Sequence, residues 1–178
     1  MIRPIATFAA FTLFAGPALA ESHLSDLASI GEANFKFCQS CHVVHDDEGN
    51  VLAGRKAKSG PNLYGIVGRT AGGLEGYKFG TSIAKAGEAG LVWDEEQLIA
   101  YLLDPKKYLQ TYLEDSSARS KMSFKMRADK KNGLTAEESA AAMYAFLAEI
   151  GPEMTAEVGE ETDPEAESEG AADTDATN

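Results

Sequence analysis

Apolar residues recur at helical spacing most clearly between Thr135 and Ile150. One face of this stretch is formed by Met143, Phe146, Leu147 and Ile150. Thr135 and Glu138 match a capping box at its start, and Gly151 and Pro152 follow as a helix stop. The pattern therefore predicts a helix over the whole stretch.

Upstream of that stretch, the spacing predicts a helix over residues 94–103, with Asp94 as its N-cap. Asp104-Pro105 ends this helix and opens a short one through residue 113. An earlier amphipathic segment covers about residues 30–37. These segments place helices at both ends of the central part of the chain.

Between Val43 and Val92, glycine is frequent and no sustained alternation of apolar and polar residues predicts a strand. The chain is therefore predicted to be all-α, with long loops. Such loops are uncommon in a compact domain unless something functional organises them. A large apolar cofactor would do so.

The two ends of the chain differ in composition from its centre. Arg3, the apolar run of residues 5–14 and the sequence Ala18-Leu19-Ala20 predict a signal peptide over residues 1–20, cleaved after Ala20. The run is too short for a permanent membrane span. Residues 151–178 contain ten acidic residues and no basic or aromatic one, which predicts a disordered tail. Residues 21–150 remain as one exported domain, which is expected to be soluble.

The net charge of the chain is −12, and most of the excess lies in the acidic tail. Nucleic-acid binding is disfavoured, because a phosphate-binding surface needs concentrated positive charge. The basic residues nonetheless cluster at positions 55–58, 106–107 and 119–131. A solvated surface explains these clusters by default, and a docking face for another protein is the alternative.

The only two cysteines lie in the sequence CQSCH, residues 38–42. This is the C-x-x-C-H pattern, in which Cys38 and Cys41 attach a haem and His42 lies beside its iron. A zinc site would need about four ligands, and only His23 and His45 are available beyond these three. A thiol redox motif would need a βαβ context, and a plain disulfide would leave His42 without a role. The motif therefore predicts covalent haem.

With this motif, the chain resembles the class I cytochromes c, and in particular the bacterial cytochrome c2 and c-550 type. The resemblance covers about residues 30–150 and rests on motifs that occur in a fixed order: GEANF, CQSCH, GPNLYGIVGR, a single tryptophan, AYLLDPKKYL, SKMSF and AFL. It implies a fold in which the N- and C-terminal helices cross and enclose the haem together with long loops. Gly31 and Phe35 would cross the last helix at Met143 and Phe146.

The resemblance also implies roles for single residues. His42 would bind the iron, and the carbonyl of Pro61 would accept its other ring N–H. Arg69 and Trp93 would bind the haem propionates. Tyr101 would lie behind the methionine ligand. Ser120 would also contribute, because it belongs to the SKMSF motif that contains Met122. The haem-binding set is therefore Cys38, Cys41, His42, Met122, Pro61, Arg69, Trp93, Tyr101 and Ser120.

The second axial ligand is open on sequence spacing alone, because Met122 and Met126 both remain after other candidates are considered. Met143 falls on the apolar face of the last helix, and His45 is too close to His42 to reach the other side of the haem. The family places its ligand in a Ser/Thr-Lys-Met-x-Phe segment, and the resemblance therefore implies that His42 and Met122 hold the iron. Phe124 of that segment would lie near the haem edge.

The chain departs from the family pattern in two places. It reads Tyr77-Lys78-Phe79 where the family commonly has an aromatic residue, a spacer and a propionate-binding tyrosine. The propionate hydrogen bond from position 79 is therefore in question. The segment of residues 109–120 is also longer than its equivalent in mitochondrial cytochromes c. This difference is expected to change the surface that contacts redox partners.

An iron filled on both sides favours electron transfer over catalysis. The resemblance implies a monomeric periplasmic carrier that takes electrons from a cytochrome bc complex. Its acceptor would be cytochrome c oxidase, a photosynthetic reaction centre or a denitrification reductase. The alternative from another class is a small haem peroxidase with a labile sixth ligand.

Overall fold

The structure, a computed structural model, describes residues 24–152. These form five helices, a short 3₁₀ turn and one antiparallel hairpin. The helices are α1 (Asp26–Asn34), α2 (Thr81–Glu88), α3 (Glu95–Leu103), α4 (Pro105–Tyr112) and α5 (Ala136–Glu149); the 3₁₀ turn is Phe35–Phe37, and the hairpin strands are β1 (Val43–His45) and β2 (Val51–Gly54). The predicted signal peptide and the acidic tail beyond Pro152 lie outside the described residues.

The crossing of α1 and α5 organises the fold, as expected. At Gly31 a Cβ atom would lie 2.0 Å from the Ala142 carbonyl oxygen, so only glycine permits this approach. The rings of Phe35 and Phe146 pack beside it with centroids 5.7 Å apart. Gly31 therefore meets the backbone at Ala142 rather than Met143.

The capping predictions for the later helices are confirmed. Thr135 and Glu138 exchange both hydrogen bonds of a capping box at the start of α5. The Asp94 side chain accepts from the backbone N–H of Gln97, at the start of α3. Asp104 caps α4 in the same way, with Pro105 in its first turn.

The N-terminal helix begins earlier than the apolar pattern indicates. Ser25 caps it by accepting from the Ala28 N–H, and the α-helix ends at Asn34, before the 3₁₀ turn. Ser25 also binds the Glu149 carboxylate through its backbone N–H (2.8 Å) and its hydroxyl (2.6 Å). These contacts hold the start of α1 to the end of α5.

Helix α2 and the two strands of the hairpin are missing from the sequence prediction. Helix α2 follows Gly80, whose lack of a side chain removes the usual capping signal. Strands β1 and β2 are three and four residues long, too short to show alternation. The turn between them is held by Asp46, which accepts from the Asn50 N–H at 2.7 Å. The all-α class is still confirmed.

Within residues 24–152, no helix is long and apolar enough to cross a membrane. The core surrounds a large cavity. Trp93, Leu98, Met143 and Leu147 are shielded from solvent and line this cavity. The interior of this protein is therefore built to surround a group larger than a side chain.

Candidate functional site: a haem cavity

The cavity has a volume of about 510 Å³, within the range of small-molecule and cofactor sites. Its wall is made by residues from the CQSCH turn, the loop before α2, helices α2, α3 and α5, and the segment before α5. Eight of the nine residues predicted to bind haem line it: Cys38, Cys41, His42, Pro61, Trp93, Tyr101, Ser120 and Met122.

The cysteines and His42 are brought together by a tight turn after the 3₁₀ segment. The backbone N–H groups of Cys41 and His42 both donate to the Cys38 carbonyl, at 3.0 and 2.9 Å. Both cysteines are free thiols, Cys38 half-buried and Cys41 exposed. Burial, and then the neighbouring Cys41, raise the pKa of the Cys38 thiol to about 11. Cys38 is therefore a neutral thiol before any group is attached to it.

His42 is oriented for metal binding by a hydrogen bond to the backbone. Its Nδ1 lies 3.0 Å from the Pro61 carbonyl oxygen. A carbonyl only accepts, so Nδ1 carries the proton and the Nε2 lone pair is free. Burial lowers the pKa of His42, and this effect outweighs the Pro61 contact, which raises the pKa. The lowered pKa favours the neutral ring. Neutral imidazole is the form that binds iron.

Gly60 contributes to this geometry in a way the sequence did not indicate. A Cβ atom there would lie 2.5 Å from Cε1 and 2.6 Å from Nδ1 of His42. The backbone before Pro61 therefore passes directly against the imidazole. The sequence signal that could have indicated this close approach is the glycine directly before Pro61, the predicted hydrogen-bond acceptor.

Met122 enters the cavity wall from the segment between α4 and α5. Its backbone N–H donates to the Ser120 hydroxyl at 3.0 Å, and that hydroxyl lies 3.2 Å from the Tyr101 hydroxyl. Burial raises the pKa of Tyr101, against the weaker effect of Ser120. This neutral network connects the methionine segment to α3.

The other axial candidates occupy different places. Met126 does not line the cavity, and its backbone N–H donates to the Leu102 carbonyl at 2.8 Å. His45 is exposed and contacts Asn62 and Asp46 instead. Met143 does line the cavity, but it is 1% exposed and packs in the core on α5. The arrangement separates Met122 from Met126, which spacing alone did not.

Aromatic rings form much of the remaining wall. Trp93 and Tyr101 pack with centroids 4.9 Å apart. Tyr77 and Phe79 meet edge to face at 4.7 Å, and Phe124 completes the set. The Tyr77 hydroxyl donates to the Ser59 carbonyl at 2.7 Å. The tyrosine of this pair, which stands at position 77 instead of 79, therefore has a backbone partner.

Arg69 is the predicted haem-binding residue that does not reach the cavity wall. Its guanidinium donates to the carbonyls of Asn62, at 3.2 Å, and Tyr64. These carbonyls belong to the loop that follows Pro61, and a planar guanidinium can serve both at once. Arg69 therefore supports this loop, and its contact with a haem propionate stays a prediction.

The donors on the wall fit a covalently attached haem. Two thiols and a preoriented neutral imidazole lie in one turn, and a thioether lies in the same apolar cavity. Among residues 24–152, no group of three His, Cys, Asp or Glu side chains is placed to hold a bare metal ion. The fold and the site together define a small helical haem protein of the c type.

Comparison with known proteins gives the same result. No protein-family model matches the chain. The chain is 48% identical over 124 residues to cytochrome c2 of Rhodovulum adriaticum, covering 70% of this chain and 92% of that protein. It is 38% identical over 169 residues to cytochrome c-550 of Paracoccus versutus, covering 94% and 96% of the two chains. The crystal structure of Rhodobacter sphaeroides cytochrome c2 matches with a TM-score of 0.62 and 44% identity, over 67% of this chain and 92% of that one.

The chain therefore belongs to the cytochrome c2 and c-550 family of class I cytochromes c. It is an electron-transfer protein rather than an enzyme, so the peroxidase alternative is set aside. Its cofactor is one covalent haem c.

Proposed function

We propose that this protein is a diffusible periplasmic carrier that moves single electrons from a cytochrome bc complex to an acceptor. The acceptors that its family resemblance suggests are a terminal oxidase, a photosynthetic reaction centre and a denitrification reductase. The observation that carries the proposal is the cavity in which Cys38, Cys41, His42 and Met122 converge.

In this proposal, His42 and Met122 occupy the two axial positions of the iron. Haem iron held by imidazole and thioether exchanges one electron and has a raised reduction potential. The Pro61 carbonyl keeps the His42 ring in one orientation. The Ser120 hydroxyl fixes the backbone of Met122. Because both axial positions are filled, small oxidants have no open site.

The rim of the cavity carries positive charge suited to an acidic partner. Arg119 and Lys121 line the cavity and are exposed. Lys121 donates to the Lys78 carbonyl at 3.0 Å, which holds its ammonium at the rim. Lys125 is less available, because its ammonium pairs with Asp104 at 2.5 Å. The charge at the rim steers encounter more than it adds affinity.

The test uses the haem-loaded protein purified from a periplasmic fraction. We expect haem to remain on the polypeptide through acidic organic extraction, and the oxidised spectrum to show low-spin iron with a weak methionine-dependent far-red band. Stopped-flow mixing should show electron transfer from a reduced bc complex, slowed by added salt. A high-spin spectrum, extractable haem or absence of transfer would contradict the proposal.

A further inference from the structure

A second cavity, of about 490 Å³, adjoins the haem cavity, and Phe37 and Phe124 line both. It lies between the end of α1 and residues 126–132, with Ser139 of α5 at its side. Lys36, Arg127, Lys130 and Lys131 also line it. We call this cavity the basic groove.

The basic groove carries a net positive charge, because four cationic residues and only one carboxylate line it. Its four cationic residues are all exposed, and within residues 24–152 none of them forms an ion pair with a carboxylate. The one carboxylate on its wall, Asp129, accepts from the Asn34 and Asn132 amides at 3.0 and 2.7 Å. Its oxygens therefore serve the fold, and the groove favours an anionic occupant.

The groove also offers an apolar contact. The Phe37 side chain is 57% exposed, and Lys36 Nζ lies 5.0 Å from its ring centroid. An exposed phenylalanine beside one lysine, in a groove lined by three further cations, is suited to a peptide that carries carboxylates on a flexible backbone. It is less suited to a compact anion, which would leave the ring exposed to water.

We propose that the basic groove binds the acidic segment of this same chain, residues 153–178. That segment carries ten acidic residues and no basic one, so its charge is complementary to the groove along its whole length. It begins directly after Pro152, where the described chain ends. A covalently linked acidic segment competes with every free partner for this surface.

The segment is long enough to reach the groove. Ser139 lines the groove, and α5 continues from there to Glu149, so Pro152 lies about 20 Å away at 1.5 Å per residue. A chain of the length of residues 153–178 spans roughly 25–30 Å on average. Linkage at this span gives an effective concentration in the millimolar range, so weak contacts are enough for occupancy.

The consequence for electron transfer rests on the proposed shuttle function. Because Phe37 and Phe124 belong to both cavities, a segment bound in the groove covers part of the haem edge. It then competes with an acidic partner for the same surface at low ionic strength. At physiological salt, screening over about 8 Å weakens the contact and frees the surface.

The test compares amide NMR spectra of the reduced, haem-loaded mature protein with those of the same protein truncated after Pro152. At low salt, we expect differences at residues 33–37 and 126–132, and we expect them to disappear at high salt. A synthetic peptide of residues 153–178 added to the truncated protein should reproduce the same shifts. Differences confined to residues next to Pro152 would overturn the proposal.

Matched charge variants decide whether the groove itself is responsible. Lys130→Gln/Lys131→Gln should weaken peptide binding roughly 2- to 30-fold, as expected for two exposed ion pairs. Lys106→Gln/Lys107→Gln on α4 removes the same charge outside the groove and should have less than about a 2-fold effect. If both double variants weakened peptide binding equally, the attraction would depend on the overall charge, and the groove would not be the binding site.

Two further outcomes distinguish intrachain binding from binding by a second copy, and the groove proposal from the shuttle function. Shifts that grow with protein concentration, together with dimers in sedimentation, would show that the segment of a second copy is the occupant and overturn intrachain binding. The NMR measurement needs no redox partner, so its failure leaves the shuttle function standing. Conversely, groove shifts in a protein that transfers no electrons would contradict the shuttle function alone.

Discussion

Met122 and Met126 stand four residues apart in one segment, yet their side chains have different surroundings. Met122 is half-buried on the wall of the haem cavity, whereas Met126 is 8% exposed and packs in the core. The Ser120 hydroxyl holds the backbone at Met122, and the Leu102 carbonyl holds it at Met126. Of these two methionines, Met122 is therefore the one that lines the haem cavity, which supports our proposal that it binds the iron.

We expect Met122→Ala to remove the far-red band and to lower the reduction potential, because the iron loses its thioether ligand. Met126→Ala should leave both nearly unchanged, although it should reduce stability by about 2–5 kcal/mol as a core truncation. Spectroscopy and redox titration of the two variants check this. The reverse pattern would reassign the ligand to Met126.

The ring pair Tyr77 and Phe79 is a second difference at the scale of single residues. We expect Phe79→Tyr to be tolerated and to add a propionate hydrogen bond of about 0.5–1.5 kcal/mol, because Phe79 already lines the cavity. The free energy of unfolding in urea measures this effect. Tyr77→Phe, which loses only the contact to Ser59, is the control. Clear destabilisation by Phe79→Tyr would show that the site has closed around phenylalanine.

Among the elements, the crossing of α1 and α5 depends on a single missing side chain. A Cβ atom at Gly31 would lie 2.0 Å from the Ala142 carbonyl oxygen and 2.7 Å from Phe146 Cβ. The nearest obstacle is backbone, which cannot rotate away. The helices must separate to admit even a methyl group.

We therefore expect Gly31→Ala to lower the free energy of unfolding by about 3 kcal/mol, since overpacking exceeds the gain in helix propensity. Glu32→Ala, exposed on the same helix, should change it by less than about 0.5 kcal/mol. Urea unfolding of both variants provides the measurement. A stable Gly31→Ala protein would mean that the helices adjust more easily than their contact indicates.

Asp129 connects two helices, because its carboxylate accepts from Asn34 at the end of α1 and its backbone N–H donates to Ser139 of α5. Hydrogen bonds from Asn34 and then from Asn132 lower the pKa of Asp129 to about 2. A carboxyl whose pKa is lower in the folded state stabilises the fold above its ordinary pKa. That contribution is lost as the pH falls towards 2.

We expect the wild-type protein to lose stability between about pH 4 and pH 2, and Asp129→Asn to lose less over the same interval. The Asn variant is less stable at pH 7, where the charged acceptor is missing. Chemical unfolding at several pH values checks both statements, with Asp47→Asn in the exposed hairpin turn as the control. Parallel curves for wild type and Asp129→Asn would exclude this role.

At the scale of the whole molecule, the cofactor replaces the centre of the core. Without haem, the apolar side chains around the cavity of about 510 Å³ would face water or a void and would lose their packing partners. A small domain has a net stability of only about 5–15 kcal/mol, so it tolerates little such loss. The helices are therefore not expected to pack without haem.

We expect a haem-free Cys38→Ala/Cys41→Ala protein to lose most helical circular dichroism and its cooperative thermal transition, because the cavity cannot close. Cys41→Ala alone, which keeps one attachment, is the comparison. Retention of a sharp transition in the haem-free protein would show that the cavity collapses onto its lining.

The sequence alone was sufficient for the features that depend on local chemistry. The N-caps of α3, α4 and α5, which include the capping box of α5, depend on short-range contacts, and they were found where predicted. The attachment motif is also local, because Cys38, Cys41 and His42 meet in one turn. The contact between His42 and Pro61, implied by family resemblance, is present at 3.0 Å.

Tertiary structure decided the features that depend on which segments meet. Spacing alone left Met122 and Met126 open and family resemblance favoured Met122, but only packing shows which of the two lines the cavity. Only packing turns Arg69 towards the carbonyls of its own loop, since a guanidinium binds any acceptor within reach. The basic groove likewise joins residues from α1, from the segment before α5 and from α5 itself. The residues that form these contacts are far apart in the sequence and follow no periodic pattern. They therefore come together only when the chain has folded around the haem cavity.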